Sequence, residues 1–229
     1  MAHFPAVLAW LVSASLLLLD AGTTAYAQGE HQRRFAAELR LIAGDLRRLQ
    51  QESLTPLHAA GLQQRLRGSI GYLGLLGREA VQERGTAAPV LEADIARLRN
   101  AYDDRRTDAM LAPLADLLRR YPLTIIDFND DRRDAAQRVA AGRDIDQRLC
   151  SGCHRTPDRN AANPAPDLFA DARRMTREEF VARLIAGIRG VPATALDNPL
   201  SEEDLRGLYA WYRNGPSPGE NDRDLAGRE

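Results

Sequence analysis

The segment Cys150-Ser151-Gly152-Cys153-His154 gathers the residues best suited to chemistry, and it contains both cysteines of the 229-residue chain. Two thiols separated by two residues, with an imidazole directly after the second, suit covalent capture of a haem. Each sulfur adds to one of the two vinyl groups, and the histidine reaches the iron as an axial ligand. Other chemistries also use two close cysteines. A redox-active pair is expected among alternating strands and helices, whereas the surroundings here have helical periodicity. A structural zinc ion normally needs four protein ligands. Past residue 27 the chain offers only His31 and His58 beyond the motif, at no matching spacing. A disulfide framework is excluded because no other cysteine exists.

Compartment is read from the N-terminus. Residues 4–19 are almost entirely apolar, Asp20 ends the run, and Ala25-Tyr26-Ala27 precedes Gln28. Small residues at the first and third positions of that triplet fit a signal-peptidase site, so residues 1–27 are expected to be a cleaved export signal, with an uncleaved anchor as the alternative. The apolar run is shorter than the about 20 residues of a bilayer span, so no stable membrane span is expected after cleavage. The expected location is the periplasm or the cell exterior, where c-type haem attachment takes place. The formal net charge of -1 gives no field that would favour nucleic acid or an anionic membrane, and nucleic acid is not an expected partner. There is no lysine, so no lysine amine is available to the iron.

The elements that must position this motif fall into two blocks, and the fold class expected is all-α. Residues 28–122 are read as an antiparallel helical bundle with four apolar stripes. Phe35, Leu39, Ile42, Leu46 and Leu49 form the first. Thr55 as N-cap and Pro56 in the first turn open the second, which runs through Leu62, Leu66, Ile70, Leu73 and Leu76. Leu91, Ile95, Leu98 and Tyr102 form the third; Met110, Leu111, Leu114, Leu117 and Leu118 form the fourth. Gly68, Gly71, Gly74 and Gly77 interrupt the second stripe. They imply either a close approach by another backbone or a flat cofactor, or a frayed helix. Residues 123–131 are expected to be a linker, 132–214 a small helical haem domain, and 215–229 a disordered tail.

Around the motif, residues 140–214 resemble the class I cytochrome c family; the preceding helical block carries no such pattern. Gly142 and Ile145 match the glycine and the haem-facing apolar residue of the helix before the motif. Pro166-Asp167-Leu168 resembles the element whose proline carbonyl holds the ligand histidine, with Ala165 in place of the usual glycine. Thr176-Arg177-Glu178-Glu179 is a capping-box pattern that opens a helix with Phe180, Leu184 and Ile188 on one face. Gly190-Val191-Pro192 resembles the loop that bears the axial methionine. Ser201-Glu202-Glu203-Asp204 caps a last helix with Leu205, Leu208 and Trp211. The resemblance implies one covalent haem c, held by Cys150, Cys153 and His154 and packed by Ile145, Pro166 and Leu168. Two departures stand out. Val191 occupies the methionine position and cannot bind iron, and Asp146 lies where many members have an aromatic residue at a helix crossing.

The sixth iron ligand is therefore open. Met175, Met110 and His58 are the weak candidates, with His31 close to the expected mature N-terminus. The function implied is single-electron transfer with a redox partner protein, the bundle serving as a docking domain. The alternative is binding or sensing of a diatomic gas at a five-coordinate iron. No distal acid–base group is identifiable, so electron carriage is expected rather than catalysis.

Overall fold

The computed structural model describes residues 28–85, 89–103, 106–124, 135–187 and 200–215; they are helical with short connections, and no strand occurs among them. The export segment, the linker from residue 125 onward, the loop bearing Val191 and the tail past residue 215 lie outside the described residues.

The first four helices are α1 (Glu30–Gln51), α2 (Pro56–Arg84), α3 (Pro89–Asp103) and α4 (Thr107–Arg120). Thr55 accepts a hydrogen bond from the His58 N–H and Pro56 occupies the first turn, so α2 starts where its sequence directs. Near the end of α2, Glu83 accepts from the Gln32 N–H at 2.9 Å at the start of α1, which makes the two helices antiparallel. The Tyr102 hydroxyl of α3 donates to the Gln63 carbonyl of α2 at 2.8 Å, and Arg120 at the end of α4 pairs with Asp94 near the start of α3. Each helix thus runs against its predecessor. Most of their apolar stripes close on one core, with Phe35, Leu39, Leu66, Leu98, Met110 and Leu117 fully enclosed; Leu111, expected on the fourth stripe, instead faces out at 48% exposure.

The α2 glycines neither fray nor break the helix, which is continuous through all four. Gly68 and Gly71 face open space, and Gly74 meets only arginine tips at 3.8 and 3.9 Å. Gly77 alone is a close approach: a Cβ there would lie 3.0 Å from Leu91 and 3.1 Å from Ile95.

Beyond residue 134 the chain forms α5 (Ala135–Ile145), a π-helical turn (Asp146–Cys150) and α6 (Ser151–His154) in unbroken succession. Then follow α7 (Leu168–Arg174), α8 (Arg177–Ala186) and α9 (Glu202–Asn214). Asp167 caps α7, and Ser201 with Asp204 forms a reciprocal capping box on α9. On α8 only half of the expected box forms. Thr176 accepts from the Glu179 N–H, but the Glu179 side chain turns away to Arg47 and Arg183.

That turn belongs to a second interface. The back of α1 packs on α8: Ala36, Ala37 and Leu41 meet Val181, Ala182 and Ile185. Asp45, 1% exposed, accepts a bidentate pair from Arg65 at 2.6 and 2.7 Å and a further bond from Arg183 at 3.1 Å. Gly44 lets α8 come this near, because a Cβ there would overlap the Glu179 carboxylate. The four-helix block and the motif-bearing block are therefore packed together along α1.

Candidate haem-attachment site

The helix leading to the motif is positioned by a backbone contact. A Cβ at Gly142 would overlap the carbonyl oxygen of Gly207, so α5 crosses α9 where both lack side chains. Four residues on, Asp146 faces the same helix. It is buried, accepts from the Tyr212 hydroxyl at 2.6 Å, and takes a second bond from Arg155 at 3.1 Å. A polar bridge thus stands at the position where the sequence departs from an aromatic pattern. Burial, and next the hydrogen bond to Asp146, push the Tyr212 hydroxyl far above its ordinary range, so it remains a donor. Around it, Phe169 lies edge-on to Tyr212 at 5.1 Å and to Trp211 at 5.4 Å, and Phe180 lies 5.8 Å from Tyr212.

Cys150 ends the π turn and Cys153 follows within α6. Both thiols are free; Cys150 is half-buried against the core of Ile145, Phe169 and Tyr212, while Cys153 is exposed. Burial pushes the Cys150 thiol up; hydrogen bonding with Tyr212 opposes this, and the charges of Asp146 and Cys153 add to it. Gly152, between the cysteines, has open space around it, and the neighbouring Leu149 is 51% exposed.

His154 places Nδ1 2.7 Å from the Pro166 carbonyl oxygen. A carbonyl only accepts, so Nδ1 carries the proton and the lone pair sits on Nε2. That fixes both the tautomer and the direction in which the ring offers a ligand nitrogen. Ile145 is buried and Leu168 half-buried in the same core as Cys150. Two free thiols, an imidazole with its lone pair on Nε2 and an adjoining apolar core form a donor set that fits a covalently held haem.

The other candidates are scattered. Met175 caps the end of α7 and packs partly buried against the core shared by Cys150 and Leu168. Met110 is enclosed in the four-helix core, away from the motif. His31 lies 3.4 Å from Glu79 at the start of α1. His58, at the start of α2, has Nε2 3.4 Å from the Arg159 carbonyl, in the segment that follows the motif. The position of Val191 lies outside the described residues.

Three features escaped the sequence reading. The π turn inserts extra width between Ile145 and the cysteines with no residue pattern that marks it. The Asp146–Tyr212 bond was signalled only by a carboxylate in an apolar register. A hydrogen bond from Asn163 to the Gly61 carbonyl at 3.1 Å joins residues 102 positions apart and had no local signal.

Residues 137–211 match the protein-family model described as Cytochrome C oxidase, cbb3-type, subunit III. No curated protein and no solved structure matches the chain. The match runs from α5 through the motif and Pro166 into α9, and no family model covers the N-terminal helices. Such a domain implies covalently bound haem c, electron transfer as its activity and a redox partner. Among the described residues no helix is long and apolar enough to cross a membrane. Matched over the stretch that holds Cys150, Cys153 and His154, the C-terminal part of this chain is a cytochrome c domain.

Proposed function

We propose that the chain is an exported cytochrome with one haem, attached through Cys150 and Cys153 and ligated by His154, that passes single electrons between partner proteins. The observation that carries this reading is the 2.7 Å contact of His154 Nδ1 with the Pro166 carbonyl, beside two free thiols inside the matched domain. Haem supplies an iron that takes up and releases one electron, so no side chain need make or break a bond. The residues of this chain anchor, orient and shield. Cys150 and Cys153 tether the group, Pro166 aims His154, and Ile145 and Leu168 with the aromatic cluster keep water from one side. The test is expression of the full chain with a haem-maturation system, followed by absorption spectra of oxidised and reduced protein and a count of covalent haem per chain. One haem that survives denaturing extraction is expected, and it is lost when Cys150 and Cys153 become Ser. Protein exported without covalent haem would overturn the reading.

A second reading, gas binding at a five-coordinate iron, draws on where the donors lie. Met110 is enclosed in the four-helix core, His31 pairs with Glu79, His58 faces Arg159, and Val191 stands at the methionine position. Of the candidates, Met175 is the one that packs on the core beside the motif. Carbon monoxide added to reduced protein separates the outcomes. A large spectral shift favours the open iron. An unmoved spectrum that becomes responsive in Met175→Leu assigns the sixth position to Met175.

A further inference from the structure

We propose that the start of α2 braces the proximal side of the haem, with Asn163 as a positioning residue for His154. This rests on the reading of His154 as an iron ligand. Residues 155–167, which lead from the motif to Pro166, contain turns and no helix. At three points this segment meets α2. The Asn163 side-chain N–H donates to the Gly61 carbonyl at 3.1 Å. The missing side chain of Gly61 is replaced by the backbone of Ala162, and a Cβ there would overlap the Ala162 carbonyl. His58 Nε2 lies 3.4 Å from the Arg159 carbonyl. Just beyond Pro166, Arg174 at the end of α7 donates to Glu52, the residue that ends α1, at 2.8 Å. The stretch that carries the Pro166 carbonyl is thus held from the four-helix block rather than by secondary structure of its own.

The chemical consequence passes through one bond. A carbonyl that accepts from Nδ1–H makes the ring a more basic ligand at Nε2, which favours the oxidised iron. Hydrogen bonds weaken steeply with poor angle and length, so a loop free to drift delivers a weaker acceptor. The brace therefore lowers the reduction potential by keeping Pro166 in place. Gly61 and Asn163 are far apart in sequence, touch neither cysteine, and act only through the loop.

The test compares the full haem-loaded chain with Asn163→Leu, which keeps side-chain bulk without the donor, and with Gly61→Ala. Gly68→Ala, on the open face of the same helix, is the control. Midpoint potential, the NMR shifts of the His154 ring protons and thermal unfolding are measured together. The expected result is a several-fold higher reduced-to-oxidised ratio at a fixed applied potential in both brace variants, with moved His154 signals, while the control keeps the wild-type potential and His154 signals. Variants that unfold earlier yet keep wild-type potential and His154 signals would show a purely structural contact and overturn the brace. Should Gly61→Ala fail to fold, Asn163→Leu alone decides. Wild-type protein without covalent haem would remove the ligand reading and the brace with it; haem-loaded variants that do not shift remove the brace alone.

Discussion

Helix α1 is held on two sides by different physics. Toward α2 and α4 it presents Phe35, Leu39, Ile42 and Leu46, large side chains that interlock in the four-helix core. Toward α8 it presents Ala36, Ala37 and Leu41, and completes the contact with the Asp45–Arg183 and Arg47–Glu179–Arg183 pairs, while the same Asp45 also binds Arg65 of α2. The first side gains its stability from apolar area, which is non-directional and indifferent to pH. The second has small side chains, allows close backbone approach, and relies on charges whose desolvation is offset only while every partner is present. An interface of the first kind degrades gradually with lost volume. One of the second kind fails when a single group is removed or protonated.

The largest expected effect is therefore on the polar side. Asp45→Ala strands Arg65, leaves Arg183 with Glu179 alone, and should cost about 3–5 kcal/mol in denaturant unfolding; a loss under about 1 kcal/mol, the range of an exposed pair, would abolish the distinction. Leu39→Ala on the apolar side should cost about 2–5 kcal/mol through lost burial and a residual cavity. That cost should stay constant with pH.

The pH dependence sharpens the contrast. Burial raises the Asp45 carboxyl, but Arg65 and Arg183 outweigh burial and hold it below the ordinary aspartate range. A carboxyl lower in the folded than in the unfolded chain contributes stability above its unfolded value of about 3.9. That contribution is lost as pH falls below it, through the folded value. Unfolding measured from neutral pH into this acid range should show wild type losing more stability than Asp45→Asn. Parallel curves would mean that Asp45 contributes no linkage.

Smaller effects test the edges. Ala37 is fully buried between α1 and α8, so Ala37→Leu should overpack the contact and cost about 1–3 kcal/mol. Glu52, whose side chain is 30% exposed, pairs with Arg48 and Arg174 at the rim. Glu52→Gln should cost less than about 1 kcal/mol, and that cost should vanish in high salt.

What the sequence disclosed was local or periodic. The haem motif is five consecutive residues, the caps at Thr55, Thr176 and Ser201 act within three residues, and each stripe of the four helices repeats within one element. The first stripe named the residues of α1 that face the four-helix core. It did not disclose the other face, because Ala36 and Ala37 carry little apolar signal and Asp45 reads as a solvated charge until Arg183 is placed beside it. Leu41, off the stripe, was the clue that α1 is apolar on more than one side, the mark of a helix buried between layers. At the motif, Pro166 is legible in the sequence through resemblance. The brace from Gly61 to Asn163 depends on how two distant segments meet, and neither residue type announces it.

The two sides of α1 also differ in when they can form. Residues that close the four-helix core lie before Tyr121, so a chain growing from its N-terminus can finish that core early. The partners of the other side stand 132 residues beyond Arg47 and 138 beyond Asp45. At a synthesis rate of about 5–20 residues per second, the interval is on the order of ten seconds. Throughout it, the alanine face of α1 has no helix to receive it and Asp45 has Arg65 of α2 but not Arg183, so the nascent four-helix block carries an open seam that the cytochrome domain seals.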